Sequence, residues 1–407
     1  MLKNYLKIAI RNLLKHKAYS FINLAGLAIG IACCVLIMLY VREELSYDRF
    51  HENAGRIYRV GNEGQFGSEI WKGGRTSHPL APALVQEFPE VQRAVRFYRL
   101  YKPFVQLGEK KFVEPRFFYA DSSVFEVFTF PLVAGDPKTA LTRPYSLVLT
   151  QEMAKKYFGD ADPVGQALSV AKIGDFQITG VLKDIPANSH LAFDFLTAYE
   201  TLRAQKNPNL DTWDTIVTST YILLTDGYDP AKLEAKLPAL VAKYQNQSHG
   251  ATQRLFLNPI VDLHLRSEFN SELGERGSIA TLSILAVVAA FILLIACINF
   301  MNLATARSLQ RAREVGVRKV LGATVAQIVL LLSRDFAKLV GLAFVVAAPV
   351  AYFAMNRWLQ NFAYRAEISL GVFPLAGLMA LGLACLTVSW QAIKAALANP
   401  VEALRYE

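Results

Sequence analysis

Long uncharged apolar runs interrupt the chain at four places. They cover residues 19–41, 278–306, 339–356 and 368–393, and none of them contains Asp, Glu, Lys or Arg. A helix needs about 20 apolar residues to cross the hydrocarbon core of a bilayer, so each run predicts a transmembrane helix. The third run is the shortest and contains Pro349, but Trp358 suits an interfacial anchor and extends that helix to 358. One run alone would also fit a buried core helix, but four favour a membrane protein.

The segment between the first two runs, residues 42–277, has a different pattern. β-branched and aromatic residues alternate with polar ones between Gly, Pro or Asp, which predicts strands. Thr150 and Asp229, which precedes Pro230, are typical helix N-caps. The mixed order predicts an α+β domain with two subdomains. The predicted strands are 56–61, 91–100, 145–149, 176–182, 217–225 and 252–257, and the predicted helices are 79–87, 150–158 and 229–244.

The first 18 residues have a helical pattern of their own. Basic residues recur every fourth position at Lys3, Lys7, Arg11 and Lys15, opposite an apolar face of Leu, Ile, Ala and Tyr. An amphipathic helix of this kind lies in the membrane surface with its cations toward the headgroups. A plain basic flank of the first span is the simpler alternative.

Two glycines lie one turn apart in the first predicted span. Gly26 and Gly30 form a G-x-x-x-G pair, which allows close approach of another helix. The motif is common in membrane spans, and the partner helix could belong to the same subunit or to another.

Composition and charge fit this topology. The 407 residues are 53% hydrophobic and 19% charged, and the formal net charge is +9. Residues 42–277 hold 27 basic and 29 acidic residues, a net of −2, whereas the rest holds 16 and 5, a net of +11. Basic flanks stay in the cytoplasm, so we predict cytoplasmic termini and an external 42–277 segment. The charge therefore indicates membrane topology, and nucleic-acid binding is disfavoured.

Catalytic and metal-binding motifs are missing from the sequence. It has no G-x-x-x-x-G-K-[ST], G-x-S-x-G or H-E-x-x-H pattern, which predicts a non-enzymatic chain with no metal or cofactor. Ser189 and His190 near Asp194 superficially suggest a catalytic triad, but adjacent residues do not face each other as a triad requires. The four cysteines all fall in predicted spans. A cleaved signal peptide is a weaker alternative for the N-terminus, because the apolar run is too long.

The predicted cytoplasmic loop, 307–338, carries a distinctive segment. It mixes charges with spaced valines and then breaks at a glycine, which predicts a short helix displayed to a cytosolic partner. A loop without a partner would expose these valines needlessly. The segment consists of Arg313, Glu314, Val315, Gly316, Val317, Arg318, Lys319, Val320, Leu321, Gly322 and Ala323.

Several segments, in order along nearly the whole chain, resemble the MacB/FtsX-type permeases of ABC transporters. Residues 19–30 resemble the family's first span, and 44–51 (ELSYDRFH) with 56–60 (RIYRV) resemble the beginning of its periplasmic domain. Residues 162–166 and 178–190 (ITGVLKDIPANSH) resemble the middle of that domain. Residues 313–323 resemble the cytoplasmic coupling loop, and 399–406 (NPVEALRY) resemble the usual terminus.

The resemblance implies an α-helical membrane protein with four transmembrane helices and a large α+β periplasmic domain between the first and second. The implied layout is an amphipathic helix (1–18), transmembrane helix 1 (19–41), the MacB-like periplasmic core domain (42–277), transmembrane helix 2 (278–306), the coupling loop (307–338), transmembrane helix 3 (339–358), a short periplasmic loop (359–367), transmembrane helix 4 (368–393) and a cytoplasmic tail (394–407).

In function, the resemblance implies an inner-membrane permease that exports or extracts drugs, peptides or lipoproteins by mechanotransmission. ATP and Mg²⁺ would bind a separate cytosolic ATPase dimer docked on residues 313–323. A second permease copy or related subunit is implied, and a periplasmic adaptor and outer-membrane channel are possible partners. The alternative is FtsX-like signalling to a periplasmic cell-wall hydrolase. A ligand sensor is disfavoured, because no cytosolic segment exceeds 32 residues.

Overall fold

The protein divides into two compact units, 1–43 with 279–407, and 44–278. The computed structural model describes residues 17–66, 69–244, 252–267, 276–296 and 324–359, with isolated positions at 269, 273–274, 298, 322, 371, 373–374, 377–378, 381–382 and 389. Nearly all of the predicted amphipathic helix, half of the coupling loop and most of the fourth predicted span lie outside the described residues.

The described elements are numbered here in chain order. The helices are α1 (Lys17–Leu45), α2 (Leu80–Glu87), α3 (Val124–Val127), α4 (Gln151–Phe158), α5 (Glu200–Ala204), α6 (Pro230–Glu234), α7 (Leu237–Tyr244), α8 (Ile260–Arg266), α9 (Ile279–Ala296) and α10 (Val325–Leu359). The strands are β1 (Ile57–Phe66), β2 (Glu69–Gly73), β3 (Thr76–Ser77), β4 (Val91–Leu100), β5 (Phe104–Leu107), β6 (Lys110–Val113), β7 (Phe117–Ala120), β8 (Leu132–Gly135), β9 (Ser146–Thr150), β10 (Ala167–Val170), β11 (Gly174–Leu182), β12 (Phe195–Ala198), β13 (Ile216–Leu224) and β14 (Thr252–Pro259).

The first unit is helical wherever its elements are described. Helices α1 and α10 include the first and third predicted spans, and α9 falls within the second. Of the described helices, α9 is the one that is long and apolar enough by itself to cross a membrane. Four crossings therefore remain a prediction.

Helix α10 begins well before the predicted third span. It starts at Val325, inside the segment predicted as a loop, and continues without interruption to Leu359. Thr324 and Gln327 form a capping box: the Gln327 N–H donates to the Thr324 hydroxyl, and the Thr324 N–H donates to the Gln327 side-chain oxygen. The residues that follow contain neither Gly nor Pro until Gly341, so nothing ends the helix at the predicted boundary.

Small and branched apolar residues fill the core of this unit. Ile31, Cys34 and Val35 of α1 pack with Ala289 and Leu293 of α9. Gly30 faces the same helix: a Cβ added there would lie 2.9 Å from the Ala296 Cβ. This is the close approach that the G-x-x-x-G pattern suggests. Gly26 lies half-buried in α1.

A 14-stranded sheet forms the second unit. Its strand order is β14-β1-β13-β4-β7-β12-β9-β11-β10-β5-β6, with β2, β3 and β8 paired off this path. Strands β7 and β12 pair in parallel, as do β9 and β11, whereas the other pairs are antiparallel. The predicted α+β architecture of this segment is therefore confirmed. One sheet runs through the whole unit, and separate clusters of buried residues lie along it.

All six predicted strands occur, with boundaries shifted by a few residues. Two of the predicted helices are α2 and α4, and the Thr150 hydroxyl accepts the Met153 N–H as an N-cap. The third prediction, one helix over 229–244, is wrong, because the structure has two helices, α6 and α7. Pro238 lies four residues after Glu234, the last residue of α6. A proline ring clashes with the carbonyl four residues earlier, so the helix breaks there.

We expect Gly30→Ile to weaken the packing of α1 on α9, because the larger side chain would overlap Ala296. Overpacking of this kind costs about 1–3 kcal/mol. Gly341→Ile in α10 is the matched control, since a Cβ there meets nothing within 4 Å. Thermal unfolding of the intact chain in detergent measures both variants. Equal melting temperatures for the two would contradict the close approach.

Candidate functional site

Most of the residues predicted to dock an ATPase lie outside the described part of the chain. Residues 313–319 and Ala323 lie outside the described residues. Gly322 is described and has φ +89°, a backbone conformation that favours glycine. It lies two residues before the capping box of α10, which is consistent with a compact turn ahead of that helix.

The 44–278 unit begins at the last residues of α1 with an unusual turn. The helix ends at Leu45, whose carbonyl accepts a hydrogen bond from the Arg49 side chain at 2.8 Å. Asp48 then adopts φ +58°, which non-glycine residues rarely adopt. Its side chain is completely buried. The surroundings of Asp48 must therefore repay both the backbone strain and the burial of a carboxyl group.

The partners of Asp48 come from the loop that contains His190, 142 positions away in the sequence. The Asp48 carboxylate accepts the His190 N–H at 3.1 Å and the Ser189 hydroxyl at 3.4 Å. The Asp48 N–H donates to the Asn188 carbonyl at 2.8 Å. The Asn188 side chain donates in turn to the Ser46 hydroxyl at 2.9 Å. Two of the segments that resemble the permease family, 44–51 and 178–190, thus bind each other.

The histidine of this loop carries the contact into the sheet. His190 Nδ1 lies 2.8 Å from Asp48 Oδ1, and His190 Nε2 lies 2.8 Å from the Tyr221 hydroxyl. Tyr221 belongs to β13 and packs edge-on against Phe97 and Phe128 in the central core. The polar contacts at Asp48 are therefore continuous with the main hydrophobic cluster.

Ser189, His190 and Asp194 do not form a catalytic triad, in agreement with the prediction from sequence. Asp194 lies apart from Ser189 and His190 and pairs instead with Arg116 at 2.7 Å. Burial raises the pKa of Asp194, although Arg116 opposes the shift. Ser189 and His190 are buried, which leaves no open face for a substrate. Among the residues that the structure describes, no group of three or more His, Cys, Asp or Glu side chains is placed to hold a metal ion.

A second histidine, His51, completes what we call the Asp48 cluster (Asp48, His51, Asn188, Ser189 and His190). His51 Nδ1 accepts the Thr129 N–H at 3.1 Å, and its Nε2 lies 4.0 Å from Asp48. Phe128 and Phe130 pack against the ring edge-on. Burial lowers the pKa of His51 to about 4, against the opposing effect of Asp48. The ring is therefore neutral at neutral pH.

The two ends of the unit meet at a smaller group, which we call the terminal clamp (Glu44, Tyr47, His264 and Gly277). Glu44 lies 2.8 Å from His264 Nε2 across 220 positions of sequence. The Tyr47 ring stacks on His264 with centroids 3.4 Å apart. The Gly277 N–H donates to the His264 carbonyl at 2.9 Å, and a Cβ at Gly277 would lie 2.5 Å from Glu44. The Glu44 side chain is only 14% exposed.

The terminal clamp is anchored in the central core. His264 lies on α8, whose Ile260 and Leu263 are buried in the same cluster as Tyr221. Helix α8 directly precedes the segment that leads to α9. The arrangement therefore fixes the first and last residues of the unit to one body. Sequence reasoning missed this site, because the contacts join residues far apart in the chain and no local spacing indicates them.

We expect acidification to destabilise the unit through His51. Its folded pKa of about 4 lies below the ordinary 6.5, so the unfolded chain takes up a proton first as pH falls. The stabilisation is complete above pH 6.5 and is lost between pH 6.5 and 4 by up to about 1.4 kcal/mol per pH unit. His51→Asn keeps an acceptor for Thr129 but cannot titrate. Hydrogen exchange of the β13 amides, corrected for intrinsic pH effects, measures the difference.

His78 sets the background for that experiment. Burial and the nearby Arg96 lower its pKa to about 4 as well, so the His51 variant retains part of the acid sensitivity. An identical pH dependence in His51→Asn and the parent protein would show that His51 titrates normally in the folded state.

Comparison with known proteins covers both units. The MacB-like periplasmic core domain matches residues 20–240, and the FtsX-like permease C-terminal domain matches residues 286–400. The chain is 26% identical over 260 residues to the uncharacterized ABC transporter permease YknZ of Bacillus subtilis, an alignment that covers 64% of this chain and 61% of that protein. It is 24% identical over 332 residues to the pyoverdine export ATP-binding/permease protein PvdT of Pseudomonas syringae, covering 74% of this chain and 44% of that protein.

Solved structures show weaker overall likeness. A domain of a putative permease from Porphyromonas gingivalis matches with a TM-score of 0.47 and 23% identity, covering 57% of this chain and 98% of that one. The periplasmic region of MacB from Actinobacillus actinomycetemcomitans matches with a TM-score of 0.38 and 15% identity, covering 51% of this chain and 89% of that one.

The family matches decide the assignment. The core-domain match alone spans more than half of the chain, and the FtsX-like match follows it in the expected order. Permeases of this kind are inner-membrane subunits of ABC transporters. This chain belongs to the MacB/FtsX family of ABC transporter permeases.

Proposed function

We propose that this permease couples ATP hydrolysis by a separate cytosolic ATPase dimer to movement of its 44–278 unit outside the membrane. The 44–278 unit would act on cargo in the periplasm or in the outer leaflet, and the cargo need not pass between the spans. The observation that carries the proposal is the pair of polar contacts that fix both ends of the 44–278 unit to one body.

The energetics of these contacts favour transmission over bending. Asp48 and His264 are almost completely buried, and each faces a polar or charged partner. Leaving a buried polar group without its partner typically costs about 1–3 kcal/mol. A hinge at residues 44–51 or 264–277 would have to break such contacts. A displacement of α1 or α9 would therefore move the unit as a whole.

On the cytoplasmic side, residues 313–323 would dock the ATPase. Glu314, Arg318 and Lys319 would orient the contact by charge, and Val315 and Val317 would supply buried apolar area. The continuous helix α10 supports this role. Its 35 residues extend about 50 Å at 1.5 Å per residue, so a push at its first turn could reach the far end of the predicted third span.

Export or extraction of drugs, peptides or lipoproteins is the use of this motion that we favour. The extent of the MacB-like core-domain match supports it over FtsX-like control of a cell-wall hydrolase. A second permease copy or a related subunit would complete the complex, with ATP and Mg²⁺ bound by the ATPase. Four crossings with both termini in the cytoplasm and a possible periplasmic adaptor belong to the same proposal.

We expect changes in the docking segment to release the ATPase. Gly316→Trp, or Arg318→Glu with Lys319→Glu, should reduce the co-purifying ATPase by more than about tenfold, since truncated interfacial charge pairs cost at least about 2 kcal/mol. Arg307→Glu with Arg311→Glu makes the same charge change in the same loop and is the control. Cysteine accessibility checks that insertion is normal. An undiminished yield of ATPase with both docking variants would sink the assignment.

We expect His264→Phe to uncouple the 44–278 unit while leaving the ATPase bound. Phenylalanine can still stack on Tyr47 but offers no nitrogen to Glu44. A spin label on β4 of each permease copy in the purified complex would report ATP-dependent changes in the distance between the two 44–278 units. The changes should shrink in this variant, and Lys243→Ala, which removes an exposed pair with Glu87, should behave as the parent protein does. A full response in His264→Phe would argue against transmission through the terminal clamp.

A further inference from the structure

The edge of the sheet at β6 has the features of a docking strand. Strand β6 ends the strand order and pairs on one side with β5. Among the described residues, no strand pairs with its other side. Such an edge leaves backbone N–H and C=O groups open to pairing. All four residues of β6 are exposed.

Exposed apolar and aromatic side chains accompany this open edge. Phe112 and Val113 lie on β6, Phe104 lies on β5, and Tyr101 precedes β5 and is 77% exposed. Scattered exposed apolar residues are common on proteins. Here, however, four of them fall within 13 residues of sequence at one end of the sheet, and grouped apolar residues of this kind mark interaction surfaces.

Positive charge is concentrated at the same edge. Residues 101–113 carry Lys102, Lys110 and Lys111 against Glu109, a net of +2, although residues 42–277 have a net of −2. Lys111 lies over the Phe104 ring at 5.0 Å and Lys102 over the Tyr101 ring at 5.4 Å. Neither lysine has an ion-pair partner among the described residues. The edge therefore presents cations beside aromatic faces.

The hairpin β5–β6 is also held in place. The Lys110 ammonium donates to the Tyr157 carbonyl at 2.7 Å, and Phe112 packs edge-on against the Tyr157 ring. Val105 of β5 is buried and packs in the same cluster as Tyr157. Because the hairpin is already ordered, pairing with another strand costs less conformational entropy than it would for a mobile edge.

An alternative explanation is that the lysines on this edge strand merely prevent aggregation. That explanation predicts polar neighbours, whereas here two lysines are followed directly by exposed phenylalanine and valine. We propose that β6 is a docking edge for an extended, acidic segment of another protein, which adds a strand antiparallel or parallel to β6. Its carboxylates would face Lys102 and Lys111, and its apolar residues would cover Phe104 and Val113. The choice of strand pairing over other modes follows from the open backbone edge.

The inference rests on the proposed function only for the location of the partner protein. If residues 42–277 lie outside the membrane, the partner is an external protein. Binding itself can be tested independently, so a failure at β6 would leave the coupling proposal untouched.

The test uses the full chain in neutral-lipid nanodiscs and an array of labelled eight-residue peptides in which pairs of Val, Ile or Thr alternate with pairs of Asp or Glu. Each face of such a strand carries both acidic and apolar residues, as the shared face of Lys111, Val113 and Phe104 requires. We expect fluorescence anisotropy to show binding that weakens at least about tenfold when alternate peptide nitrogens are methylated, because methylation removes strand pairing. Lys102→Glu with Lys111→Glu should weaken binding by a similar factor. Lys232→Glu with Lys206→Glu, on exposed positions outside the hairpin, is the control.

Hydrogen exchange on the complex should show new protection in 110–113. Three results would overturn the inference: no peptide binds better than its methylated form, the hairpin variant binds as the control does, or protection falls elsewhere. The inference would also be overturned if the protein bound vesicles of anionic lipid through the hairpin lysines and bound none of the peptides. Unchanged melting temperatures in both variants would show that the losses do not come from unfolding.

Discussion

The buried carboxylate of Asp48 is the interaction on which the 44–278 unit depends. A carboxylate without solvent contact is costly unless hydrogen bonds and a counter-dipole offset the lost hydration. Here the His190 backbone N–H and the Ser189 hydroxyl donate to Asp48 Oδ1, and the His190 ring lies 2.8 Å from the same oxygen, whereas Asp48 Oδ2 has no hydrogen-bond partner among the described residues. All three come from one loop, so the native position of residues 44–51 requires that loop to lie against β13, where His190 contacts Tyr221. This requirement joins the beginning of the unit to its middle.

The same requirement explains why the surrounding core is aromatic. Tyr221 offers a hydroxyl to His190 on one side and ring edges to Phe97 and Phe128 on the other. A tyrosine can satisfy a polar partner while its body remains in an apolar cluster. His51 is likewise surrounded by Phe128 and Phe130, which keeps it neutral beside Asp48. The polar cluster and the hydrophobic core therefore stabilise each other.

Sequence patterns predicted the elements of this fold better than its contacts. Strand β4 has ten residues with partial alternation of buried and more exposed positions, and β13 is a nine-residue run rich in β-branched residues, so both are long enough to be recognised. Strands β5, β6, β7 and β12 have four residues each, too few for that pattern, and they were missed. Pro238 marks the break between α6 and α7 by its clash with an earlier carbonyl, a cue the prediction of a single helix overlooked. The Asp48 cluster had no local signal, because its partners lie about 140 positions apart and buried polar pairs obey no period.

The continuity of the sheet gives the distant edge a mechanical relation to Asp48. Tyr221 lies on the third strand of the order and β6 on the eleventh, and a continuous series of paired strands joins them. Every step on that path is a hydrogen-bonded strand pair, and interiors so closely packed transmit displacement with little compression. A partner strand added at β6 would become part of the same sheet. Any motion imposed at Glu44 and Asp48 would then move the partner together with the unit, which is what transmission without a channel requires.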